Sequence, residues 1–359
     1  MKPRSSGILL HPTSLPGRFG TGDLGDEAYR FVDFLAQTGQ RLWQILPLGP
    51  AGYGNSPYQS LSAKAGNYLL ISPEKLLEDG FLKGDDLDST PAFPAEYVDY
   101  NAVIDYKNEL FRKSFKYFNS TPQNPYQEEF RNFCTQNASW LDTYSLFMAL
   151  KTAFELKSWT GWDNDIKRRE PEALRYWNDT LYDNILFHKY LQYQFVKQWS
   201  GLKGYCNGLG IRIIGDIPIF IALDSVEVWE NPELFYLDDN GKPTVVAGVP
   251  PDYFSRTGQL WGNPIYRWDL MEKDGFSWWI ERIRAIHSLV DIIRIDPFRG
   301  FEKYWEIPGN DTTAMNGKWV PAPGEKLFKA VSKALGDLPV LAEDLGVITP
   351  EVDALREKF

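Results

Sequence analysis

Two stretches of this sequence carry charged residues where a buried strand ends. In residues 291–301, Ile292, Ile293 and Ile295 form a β-branched apolar run broken by Arg294 and Asp296. A run of that kind reads as a buried parallel strand. The i, i+2 spacing puts Arg294 and Asp296 on one face of it. Pro297 and Gly300 then stop and turn the chain, so Asp296 stands at the carboxyl end of a strand, where α/β barrels place reactive groups. In residues 338–346 a second short strand, Val340–Ala342, ends in Glu343 and Asp344 before Gly346. Two strands of one sheet thus each end in carboxylates. Paired carboxylates flanking a bond are the apparatus of glycoside chemistry, one acting as nucleophile or base and the other as acid. The alternative for Arg294 and Asp296 is a buried structural ion pair.

The elements that must position these groups alternate along the chain. Strands are expected at about 7–10, 41–48, 211–217, 291–296 and 339–342, separated by segments with helical periodicity, which argues for a parallel sheet. Polar clusters follow the strands at one end, which favours a (β/α)8 TIM barrel over an open sheet. A turn at Gly20–Gly25 leads into a helix whose apolar face is Ala28, Phe31, Val32 and Leu35, with Asp26 as cap and Gly39 as terminator. The turn spells G-x-G-x-x-G, a dinucleotide signature. However, Pro12 and Pro16 separate it from its strand, and the next strand ends in Pro47 without the carboxylate that would hold a ribose. No cofactor is expected.

Residues 1–83 read as the first barrel strands. Residues 84–184 read as a helical insertion, with spacings such as Phe111, Phe115, Phe118 and Leu141, Tyr144, Ser145, Met148. The barrel resumes over 185–224, a loop-rich aromatic insertion occupies 225–268, and barrel follows over 269–359. Gly49–Tyr58, with three glycines and two prolines, is a long shaped loop that offers Tyr53, Ser56 and Tyr58 at the carboxylate end of the sheet. Asp216 closes a further strand. Asp252, Tyr253, Phe254 and Trp261 sit in ordered loops.

Composition agrees with a sugar site. The 359 residues include 13 Trp, 19 Tyr and 22 Phe, and the apolar faces of pyranose rings pack on aromatic rings. A net charge of −10 without a basic block argues against a nucleic-acid partner. Cys134 and Cys206 make no disulfide framework, and His11, His188 and His287 are too scattered for a zinc site. The apolar run Gly7–Leu10 is too short for a signal peptide, and no stretch approaches the ~20 apolar residues of a membrane span. A soluble cytoplasmic protein is expected.

Taken together, the motifs His11–Gly17, Gly52–Ser60, Gly215–Phe220, Val245–Ser255, Trp261–Pro264, Arg294–Asp296 and Leu341–Gly346 resemble those of the 4-α-glucanotransferases, the amylomaltases or disproportionating enzymes of the α-amylase clan. The resemblance runs through nearly the whole chain. It implies a retaining transfer of α-1,4-glucan segments between maltooligosaccharides through a covalent glycosyl-aspartate. Asp296 would be the nucleophile, Glu343 the acid/base, and Arg294 the cation that keeps Asp296 ionised. Asp216 would bind the sugar at the reacting subsite, and Tyr58 would stack there. Ser56, Asp252, Tyr253, Phe254, Gln259 and Trp261 would line neighbouring subsites or the loop over the cleft, and Tyr53 would belong to a secondary glucan site. A hydrolase of the same clan and a non-catalytic glucan-binding protein are the competing expectations. Two departures stand out. Pro297 occupies a position where the family carries histidine. The family's third catalytic aspartate lies in a motif C-terminal to residue 359. With five of eight barrel strands in view, the expectation is that these residues belong to a longer functional chain and would be poorly soluble and inactive alone.

Overall fold

The computed structural model of the chain describes residues 4–121, 124–346 and 348–359. Two units divide it: Met1–Pro50, Ala65–Leu156 and Glu170–Ile214 form the first, and Ala51–Lys64, Lys157–Arg169 and Gly215–Phe359 the second.

In the first unit β1 (Gly7–Leu9), β2 (Leu42–Gln44) and the opening of β3 (Arg212–Pro218) run parallel, with Ile8 opposite Trp43 and Trp43 opposite Ile213. Trp43 is fully buried, and its indole N–H donates to the Leu10 carbonyl at 2.8 Å, which satisfies the one polar atom of a large apolar side chain. Parallel neighbours need crossover connections. The helix Asp26–Gln37 supplies one, and the helix Tyr182–Gly208 leads back into β3. Ala28, Val32 and Leu35 are the buried face of Asp26–Gln37, and Gly39, at φ +76°, follows its end. The cap differs from expectation. Asp26 is the first helical residue, and Gly25 takes the cap position without a side-chain bond. Asp26 and Glu27 instead put negative charge in the first turn, where the helix dipole favours it.

The glycine motif answers to packing. A Cβ on Gly22 would lie 2.0 Å from the Pro12 carbonyl oxygen, and one on Gly25 2.7 Å from Ser72 Oγ. Asp23, between them, faces Lys107 of the helix Tyr100–Ser120, whose fully buried Nζ donates to Leu69 O at 2.6 Å and Ile71 O at 3.2 Å and lies 3.5 Å from Asp23 Oδ2. The turn is thus closed on a buried ammonium. On the helix Tyr182–Gly208, Gln192 exchanges two hydrogen bonds with the backbone of Gly66, and Gln198 does the same with Ser72. These amides serve an irregular segment as a neighbouring strand would.

In the second unit β3 continues from Gly215. The remaining strands are β4 (Val245–Val249), β5 (Gln259–Pro264), β6 (Ile292–Asp296), β7 (Lys303–Pro308), β8 (Lys318–Pro321) and β9 (Val340–Ala342). β6 pairs with β9 in parallel, Arg294 opposite Leu341 and Ile295 opposite Ala342. As expected, Ile292, Ile293 and Ile295 are buried. Gly215 is dictated by contact, since a Cβ there would meet Val290 Cγ1 at 2.6 Å. The stretch 225–268, expected to be loop-rich, also holds the strands β4 and β5, which join β7 and β8 in an antiparallel sheet of order β5-β4-β7-β8. Gly248, Gly262 at φ +79° and Pro264 interrupt the alternation by which such strands are read. Among the described residues no helix is long and apolar enough to cross a membrane.

Replacing Lys107 with Met should remove the ammonium that Leu69 O, Ile71 O and Asp23 share and leave Asp23 in a buried site without that cation. A loss of about 3 kcal/mol is expected at neutral pH, measured by denaturant unfolding. A loss below about 1 kcal/mol would show that the ammonium does not hold the turn.

Candidate active site

β6 presents Arg294 and Asp296 on one face. Arg294 Nη1 donates to Asp296 Oδ2 at 2.8 Å and, across to β3, to Asp216 Oδ1 at 2.8 Å. The other Asp216 oxygen accepts the Tyr58 hydroxyl at 2.9 Å. Asp216 is buried, and burial pushes its carboxyl above the usual range. Arg294 and the Tyr58 bond oppose that, and the charge of Asp296 adds to it. Burial pulls Arg294 down, but Asp216 and Asp296 more than compensate and leave it raised. Burial first, then the charge of Asp216, pushes the Tyr58 phenol up, so it remains a donor. One cation thus serves two carboxylates.

Glu343 follows β9 directly. Its N–H donates to the Ile295 carbonyl at 3.0 Å, and its own carbonyl accepts Phe298 N–H at 3.3 Å. The β6–β9 ladder therefore fixes the backbones of both carboxylate-bearing strand ends. The Glu343 side chain is buried and accepts Leu345 N–H at 2.7 Å. Burial raises its carboxyl, the Leu345 N–H works against this, and the charge of Asp296 raises it further. Such an environment suits a proton donor beside an anion. The Asp296–Pro297 peptide is cis, and Pro297 is extended.

The end of β3 is held from behind. Ile219 N–H donates to Asp296 O at 2.8 Å. Arg282, on the helix Ser277–Leu289, gives Nη2 to Pro218 O at 2.6 Å and Nη1 to Ile219 O at 3.1 Å, while Tyr266 donates to Ile219 O at 2.8 Å. The indoles of Trp278 and Trp279 lie 5.6 and 4.9 Å from the Arg282 guanidinium, which offsets the cost of burying it.

A family model described as 4-alpha-glucanotransferase matches residues 10–359. The chain belongs to the 4-α-glucanotransferase family. A relative named 4-alpha-glucanotransferase from Synechocystis sp. is 53% identical over 358 residues, 99% of this chain and 71% of that protein. One from Thermus thermophilus is 52% identical over 357 residues, again 99% and 71%. Among solved structures, the amylomaltase from Streptococcus agalactiae in complex with acarbose matches with a TM-score of 0.95 at 46% identity, covering 99% of this chain and 72% of that one. These likenesses carry the α/β-barrel fold class expected from the sequence.

Of the residues singled out in the sequence, Tyr58, Asp216, Arg294 and Asp296 form one hydrogen-bonded group, and Glu343 is tied to it through the β6–β9 ladder and by the charge of Asp296. Ser56 serves its own loop, Oγ accepting Tyr58 N–H at 3.3 Å. Tyr53, Tyr253 and Phe254 are exposed side chains, which the fold does not pack against the carboxylates. Asp252 spends Oδ1 on its own turn, accepting Phe254 and Ser255 N–H at 2.8 Å each. Trp261 Nε1 donates to Gln259 Oε1 at 3.1 Å, a pair on β5. Sequence reasoning missed Arg282 and Glu227. The one signal for Glu227 was a single carboxylate inside the apolar run Val226–Trp229.

Arg294→Met should cost about 3 kcal/mol of stability at pH 7, because Asp216 then lies buried beside Asp296 with no cation. Without Arg294 the folded-state pKa of Asp216 rises further above its unfolded value. The deficit relative to wild type should therefore be fully present at neutral pH and shrink as pH falls and Asp216 takes up a proton. Unfolding measured from pH 7 to pH 4 checks this, and a deficit that widens on acidification would contradict the assignment.

Proposed function

We propose that this chain is a retaining 4-α-glucanotransferase in which Asp296 forms the glycosyl-enzyme and Glu343 moves the proton. The observation that carries the reading is the pairing of β6 with β9, which ends one strand in Asp296 and the next in Glu343, with Arg294 joining Asp296 to Asp216.

In this reading an Asp296 carboxylate oxygen attacks the anomeric carbon of an α-1,4-linked glucan. The glycosidic bond breaks as Glu343 gives its proton to the departing oxygen. Glu343, now a carboxylate, takes the proton of an acceptor hydroxyl, which attacks the same carbon and releases Asp296. Two inversions restore the α configuration. The raised pKa of Glu343 matches the first step, in which it must be protonated. Arg294 offsets the charge of Asp296 and fixes its orientation. Asp216, steadied by Arg294 and Tyr58, would meet the sugar at the reacting subsite, with Tyr58 stacking beside it. Ser56, Asp252, Tyr253, Phe254, Gln259 and Trp261 would line the neighbouring glucan subsites, and Tyr53 a secondary one. Exposed aromatic rings such as Tyr253 and Phe254 have a use once a sugar covers them. Transfer prevails over hydrolysis where the bound acceptor keeps water from the glycosyl-enzyme.

Incubation with maltotriose tests this. The wild-type chain should give a ladder of longer and shorter oligosaccharides rather than accumulating reducing ends. Asp296→Ala should lower the rate more than tenfold, a cost above ~1.4 kcal/mol, while glucan binding persists. A variant that kept more than a tenth of the rate would remove Asp296 from the chemistry.

A further inference from the structure

The segment Ala51–Lys64 brings Tyr58 to Asp216, yet it has almost no apolar packing of its own. Within it Ser62 is buried, at 2% exposure, while its neighbours are partly or fully exposed. The loop closes on itself: Gly52 N–H donates to Gln59 O at 2.7 Å, Ala51 bridges to Ser60, and Gln59 N–H returns to Ser56 O at 3.1 Å. Its base is held by the short helix Val226–Glu230. Val226 N–H donates to Leu61 O at 3.0 Å. Glu227 Oε1 accepts both the Ser62 hydroxyl at 2.8 Å and Ala63 N–H at 2.7 Å. Glu227 is itself 3% exposed, and its Oε2 is buried with no hydrogen-bond partner. A carboxyl buried with one oxygen unmatched is costly, and an apolar side chain would avoid that cost unless the two accepted bonds matter. Burial raises the Glu227 carboxyl, and the Ser62 and Ala63 bonds oppose it.

From this geometry we infer that Glu227 is a positioning residue of the transfer site, fixing through Ser62 and Ala63 the base of the loop that carries the Tyr58 hydroxyl to Asp216. Three residues separate Tyr58 from Ser62, and Ser60 Oγ donates to the Ser62 carbonyl at 2.7 Å, so a shift at the base moves the phenol. The inference rests on the functional reading above for its consequence, though not for its geometry.

A double-mutant cycle between Glu227 and Tyr58 tests it, with transfer from maltotriose and local hydrogen exchange as readouts. Glu227→Leu should lower kcat/KM roughly tenfold or more, the scale on which small misplacements cost rate. Glu227→Gln keeps an Oε1 acceptor and should stay within about twofold. In a Tyr58→Phe background the Leu substitution should cost far less, because coupled residues are not additive. A general loss of structure would instead cost the same factor in both backgrounds. Backbone amides at 56–60 should lose protection in Glu227→Leu while those of β6 keep theirs. Should Glu227→Leu fail to fold, Ser62→Ala, which removes one of the two bonds from the other side, takes its place in the cycle. Equal losses in both backgrounds, or unchanged exchange at 56–60, would overturn the inference. Absence of transfer by the wild-type chain would count against the functional reading, and the exchange data would then decide this one.

Discussion

The guanidinium of Arg294 lies between two carboxylates, 2.8 Å from Asp296 and 2.8 Å from Asp216, and the rest of the site depends on that bridge. Two anions this close to one another, one of them buried, are held only where a cation is shared. The bridge requires β3 and β6 to lie side by side, which Gly215 permits by leaving room for Val290. It also requires the ends of both strands to stay put. Ile219 N–H ties the end of β3 to Asp296, and Arg282 and Tyr266 take up the carbonyls of Pro218 and Ile219. A buried arginine, Arg282, thus supports the partly buried Arg294, its own charge met by carbonyl oxygens, indole faces and the nearby charge of Glu227.

The carboxylates around this bridge are given different surroundings, and the difference suits different work. Asp296 has the cation. Glu343 has burial and a neighbouring negative charge, both of which favour its protonated form. Asp216 has both oxygens engaged, by Arg294 and by Tyr58, and is held as a fixed acceptor of hydrogen bonds. One ladder, β6 with β9, sets Asp296 and Glu343 at adjacent strand ends, so the placement of their backbones is a matter of backbone hydrogen bonds and not of loop conformation.

Much of this was legible in the sequence because the strands that carry the carboxylates are buried. Ile292, Ile293 and Ile295 leave no other reading, and Arg294 and Asp296 are conspicuous among them. The bridging partner was less visible: Asp216 was singled out as a polar strand end, but its link to Arg294 spans 78 positions and is a matter of sheet order. The antiparallel strands β4 and β5 were read as loops because glycine and proline break their alternation. The G-x-G-x-x-G turn packs against Lys107, which lies 84 positions from Asp23, and a buried lysine in a helix looks like any other lysine in a sequence. Glu227 is hidden for the same reason, since only the fold reveals that its carboxyl meets Ser62 and Ala63.

The central claim is that Asp296 makes the bond to sugar and Glu343 the proton transfer. It is tested most directly by offering a Glu343→Gln variant α-maltosyl fluoride. Fluoride departs without an acid, whereas release of the sugar still needs the base. Mass spectrometry of the digested protein should find one maltosyl unit on the peptide containing Asp296. A folded variant that carries no adduct, or carries it on Asp216, would contradict the account.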